Sequence, residues 1–74
     1  SLASRFSLVG VLADSSAGGV AIIAVDGAPP KPYRVGAWLA DGWMLQSVRG
    51  RIALVGSERG GPIAVTLELP ALKR

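Results

Sequence analysis

The sequence predicts an all-β domain: six short strands in two small antiparallel sheets, packed face to face as a sandwich or curled into a half-open barrel. Three observations carry this. Ten glycines and five prolines divide the 74 residues into apolar pieces, and these have strand length, about 5 to 8 residues, too short for ordinary helices. The pieces are rich in Val and Ile, whose branched side chains suit a pleated, half-buried surface. Between them lie Asp-Gly, Gly-Gly and Pro-Pro, the dipeptides of turns and breaks.

The first strand is Phe6 to Ala13, FSLVGVLA, apolar at nearly every position. The loop Asp14 to Gly19, DSSAGG, follows with side chains that bond their own backbone and glycines free to take positive φ. The second strand, Val20 to Val25, is apolar on both faces, which suits a central strand or one whose outer face meets a partner. Asp26-Gly27 ends it in a tight turn. Pro29, Pro30 and Pro32 lack an N–H, so the segment APPKP is a connection or a sheet edge.

The third strand runs from Tyr33 to Leu39, and Asp41-Gly42 turns the chain into the fourth, Trp43 to Val48. After Arg49-Gly50-Arg51 comes the fifth, Ile52 to Val55. The loop GSERGGP leads to the sixth, Ile63 to Leu69. There Ile63, Val65, Leu67 and Leu69 face one way while Ala64, Thr66 and Glu68 face the other. Pro70 stops the strand. Residues 1–5 then form an N-terminal flank, 6–70 the β-domain and 71–74 a tail with little to pack against.

A chain of this length is at most one domain and buries only about 60% of the surface its unfolded form exposes. Neither cysteine nor histidine is present. That excludes disulfides, thiolate or imidazole metal ligands, an imidazole general base and a Ser-His pair. The net charge of +3 includes Lys73 and Arg74 at one end and Arg5 near the other. The body is therefore nearly balanced, with no basic stripe to bind nucleic acid. No apolar run approaches the roughly 20 residues of a spanning helix. The chain opens without Met or a charged leader region, and reads as a segment of a longer protein.

Asp14, Asp26 and Asp41 each stand where a strand ends, beside Gly or Ser, so turn chemistry accounts for them more simply than a catalytic carboxylate pair. Ser15, Ser16 and Ser57 have no base. The Gly-rich segments lack the Gly-Lys-Ser/Thr ending of a phosphate cradle, and no cofactor is expected. Arg49 and Arg51 in RGRI could touch phosphate on a nucleic-acid-binding β-barrel, yet such a face carries several aromatics and this chain has four in all. Trp38 and Trp43 bracket LADG. A hairpin there would bring the two indoles together as corner packing, or present them as a recognition platform.

Taken in order, the motifs Leu8-Val9-Gly10-Val11, Ala21-Ile22-Ile23, Tyr33-Arg34-Val35-Gly36, Gly42-Trp43, Val48 and Ile52-Ala53-Leu54 span nearly the whole chain. The set resembles the periplasmic homology region of type II secretion system protein C, including the variants called protein N. The resemblance implies six strands in two three-stranded antiparallel sheets. It also implies a non-enzymatic periplasmic domain of an inner-membrane protein with one membrane helix. Its implied partners are the N-terminal domain of the outer-membrane secretin and other proteins of the inner-membrane platform. On that footing Leu8, Val9, Val11, Val20 and Ala21, with Arg34 as a charged rim, are the expected partner-binding residues; the alternative is that they are core. Two other readings stand beside it: a pilotin-like periplasmic domain of type IV pilus assembly, which also meets a secretin, and a small nucleic-acid-binding β-barrel.

Overall fold

A computed structural model describes residues 2–12 and 18–70. A 3-10 turn, Leu2–Arg5, leads into β1 (Phe6–Leu12), β2 (Val20–Val25), β3 (Lys31–Arg34), β4 (Trp38–Ala40), β5 (Trp43–Arg49), β6 (Ile52–Gly56) and β7 (Val65–Glu68). One sheet has the order β1-β2-β3 and the other β4-β5-β6-β7, every neighbouring pair antiparallel. The all-β class and the antiparallel pairing agree with expectation. The strand count does not: among the described residues there are seven, divided three and four, and these close no barrel.

The additional strand comes from the segment expected to run unbroken from Tyr33 to Leu39. At Arg34–Ala37 the chain makes a turn in which the Ala37 N–H donates to the Arg34 carbonyl at 2.9 Å, with Gly36 at φ 95°. That is the type II geometry, which places positive φ at its third residue. The Gly36 N–H then donates to the Leu45 carbonyl at 2.8 Å, and the Leu45 N–H to the Ala37 carbonyl at 2.9 Å. The bend is thereby joined to β5, and β4 belongs to the second sheet.

Local signals hold elsewhere. Asp26 and Gly27 both have positive φ, 52° and 79°, and the Ala28 N–H closes the turn on the Val25 carbonyl at 2.9 Å, a type I′ hairpin from β2 to β3. Pro32 lies on β3, an edge strand, and Pro29 and Pro30 lie in the connection before it. β2 is central in its sheet, one of the two placements its apolar faces allow. The last strand starts two residues later than expected, at Val65, and Ile63 is 55% exposed. The neighbouring Pro62 carbonyl accepts from the Gln46 amide, so the chain there follows the loop rather than the ladder. The Asp14–Ala17 part of the first loop, Ala13 and the tail 71–74 lie outside the described residues.

Between the sheets lies one core. Phe6, Leu8, Ala21 and Ile23 come from the first sheet, and Leu39, Leu45, Ala53, Val55, Val65 and Leu67 from the second. Ile23, Leu45 and Val55 are fully enclosed, each contributing about 1.5–3 kcal/mol by removal from water. Leu2, in the segment expected to be a flank, also packs against this core. No polar side chain is buried among the described residues.

A second device orders the loop between β6 and β7. Gln46 sits where the β5–β6 register slips by one residue, and its side-chain amide donates to the carbonyls of Glu58 (2.8 Å), Gly61 (3.2 Å) and Pro62 (3.2 Å). Gly56 is buried beneath this clamp. A Cβ at that position would run into the Gln46 amide and stand 2.6 Å from the Pro62 carbonyl oxygen.

Candidate functional site

The first sheet has two faces set by period-two alternation. On β1, Phe6 and Leu8 point inward, and a bulge between Leu8 and Gly10 leaves Val9 53% exposed. The pairing then assembles outward-facing rows across all three strands: Leu12 with Val20 with Arg34, and Gly10 with Ile22 with Pro32. Gly10 has no side chain to screen Ile22, whose Cδ1 methyl lies over it. Leu12 is 61% exposed. The result is an apolar strip edged by Arg34, with exposed Lys31 on the same edge strand.

The residues expected to bind a partner divide between the two faces. Val9, Val20 and Arg34 are on the outer side. Leu8 and Ala21 are buried in the core, and Val11 packs against it. The strip also contains Leu12 and Ile22, which were not named from the sequence. Counting by two from a core residue such as Ile23 would have assigned Val20 and Ile22 to faces, but an all-apolar strand gives no starting parity.

The tryptophans do not pair with each other. Trp38 lies opposite Met44, and Trp43 opposite Ala40. Adjacent residues of β5 face opposite ways, so Trp43 turns inward and packs against the core, while Trp38 is 56% exposed. Corner packing by both indoles is therefore corrected to packing by Trp43 alone. Beside Trp38, at the β4–β5 hairpin, is a hollow of about 510 Å³ lined by Trp38, Leu39, Ala40, Asp41 and Gly42.

Two arginines brace the scaffold, Arg5 and Arg51. Arg5 Nε and Nη2 donate to the two carboxylate oxygens of Asp26 at 2.8 and 2.9 Å, tying the 3-10 turn to the β2–β3 hairpin. The hydrogen bonds from Arg5 hold the Asp26 carboxyl below the ordinary carboxylate range, against a smaller opposing effect of desolvation. A general acid needs the opposite shift. Arg5 also lies 5.6 Å from the Phe6 ring centroid. Arg51 donates to the carbonyls of Leu69 and Pro70, and Arg49 is exposed. No group of three His, Cys, Asp or Glu residues suited to a metal is found among the described residues, nor any helix long and apolar enough to cross a membrane.

No protein-family model, curated protein or solved structure matches the chain.

Proposed function

We propose that the chain is a non-catalytic periplasmic interaction domain of a type II secretion system inner-membrane component. In this reading it binds the N-terminal domain of the outer-membrane secretin and so couples the inner-membrane platform to the outer channel. The observation that carries it is the apolar strip on the first sheet, Val9, Leu12, Val20 and Ile22 edged by Arg34. Contiguous apolar surface left open on a small domain is a usual mark of a protein contact. The ordered motifs are consistent with the same reading: those on β1, β2 and the end of β3 form the sheet that carries the strip, and those on β5 and β6 form the sheet packed beneath it. Leu8 and Ala21 then act from beneath as the packed floor, and Arg34 supplies orientation at the rim.

Three short strands offer a contact at the small end of specific interfaces, so affinity is on the order of micromolar. The test is titration of the ¹⁵N-labelled domain with the recombinant N-terminal domain of the secretin encoded with it. Saturable shifts confined to Val9, Leu12, Val20, Ile22 and Arg34 are expected. Leu12→Asp and Ile22→Glu should abolish them while the melting temperature stays near that of the parent. Absence of shifts at saturating secretin domain, or binding that survives both substitutions, would overturn the proposal.

A further inference from the structure

We propose that the hollow at the β4–β5 hairpin receives an arginine side chain from a protein partner. It lies on the second sheet and does not depend on the secretin reading. Three features of one short segment converge there. Trp38 is 56% exposed although its neighbour Leu39 is buried in the core. Asp41, in the same lining, is exposed and forms no ion pair among the described residues. Gly42 contributes backbone alone, and a Cβ there would meet nothing within 4 Å, so the hollow is open on that side.

The chemistry of the lining selects the occupant. Its single charged group is a carboxylate, which repels an anion. A purely apolar group would cover Asp41 without offering it a hydrogen bond, leaving a desolvated charge unpaired. A guanidinium meets both demands: its plane stacks on the indole face, and its N–H fork matches a carboxylate. An alkylammonium supplies the charge without the planar stack, so lysine should bind more weakly.

The position also explains why the hollow stays open. Trp38 is on β4, an edge strand of three residues, and its cross-strand neighbour is Met44 on the outer face. Among the described residues no further strand pairs with β4 on that side.

The probes are three capped tripeptides, glycine-arginine-glycine, its lysine form and its citrulline form, titrated into the ¹⁵N-labelled domain. Citrulline keeps the shape and removes the charge. The arginine peptide should shift the Trp38 indole Nε1–H and the Gly42 amide saturably, with lysine weaker. Citrulline should bind about fivefold or more weakly than arginine. Asp41→Asn, which retains a residue suited to the turn, should lower arginine affinity by a similar factor and remove its salt dependence. Trp38→Leu should abolish the arginine-over-lysine preference while the fold, read by amide dispersion, persists. Equal binding of citrulline and arginine, indifference to Asp41→Asn, or no saturable shift with any peptide would overturn the assignment.

Discussion

At Gly56 the missing side chain is itself a structural element. The residue is paired with Met44 in the β5–β6 ladder, so its backbone cannot withdraw from the Gln46 amide above it. Gly56→Ala should destabilise the domain by about 1–3 kcal/mol through overpacking, read as a lower urea midpoint at unchanged slope. In a Gln46→Ala background the same change should cost less, because the clashing amide is gone; strict additivity would show that the clamp is not the cause. The tryptophans give a second contrast. Trp43→Ala should remove on the order of 2 kcal/mol, below the fully buried range because Trp43 is only partly buried. Trp38→Ala should stay within about 0.5 kcal/mol of the parent. Equal losses in thermal melts would contradict the opposite orientations of the two rings. That contrast was not legible beforehand: both residues are apolar, both flank the same turn, and only the register decides which faces the core.

Among the elements, the short 3-10 turn is tied to the β2–β3 hairpin twice at one point, by the Arg5–Asp26 ion pair and by the Asp26 N–H donating to the Arg5 carbonyl at 2.7 Å. Folding lowers the pKa of Asp26 through its hydrogen bonds to Arg5. The unfolded chain therefore binds the proton more readily, and stability rises with pH across that window. The contribution is fully present above the ordinary carboxylate value of about 3.9 and is lost as pH falls through the lower value in the fold. Asp26→Asn keeps a residue that tolerates positive φ at the turn. The melting temperature of the parent should exceed that of the variant at neutral pH, with the gap closing on acidification below the ordinary carboxylate range; a constant gap would mean that the pair contributes nothing on folding. Elements of this kind were readable where their cause is local. Asp26-Gly27 and Asp41-Gly42 announce hairpins, and the proline segment announces an edge. The turn at Val35–Gly36 was not readable, because Tyr33 to Leu39 is mostly apolar, with only Arg34 charged, and its single glycine also fits a strand or bulge. What makes it a turn is the bonding of Gly36 and Ala37 to Leu45, a contact between segments distant in sequence.

For the molecule as a whole, one core joins the two sheets, with ten buried apolar side chains among the described residues, and each sheet carries an unfilled feature. The first carries the apolar strip, the second the hollow beside Trp38, so contact with one need not obstruct the other. Composition was enough to indicate the all-β class and the lack of imidazole or thiol chemistry. The division into three and four strands needed the register, and so did the sorting of Leu8 and Ala21 from Val9 and Val20. Pro32 bears on behaviour at high concentration. It pairs with Ile22 inside a regular ladder, so its ring nitrogen occupies the outward side of β3, where an added strand would seek a donor. Edge-to-edge growth through this sheet needs two receptive edges on every copy, and only β1 offers one. Should two copies meet along β1, both remaining edges carry a proline, and the ribbon stops at six strands instead of lengthening into a fibre.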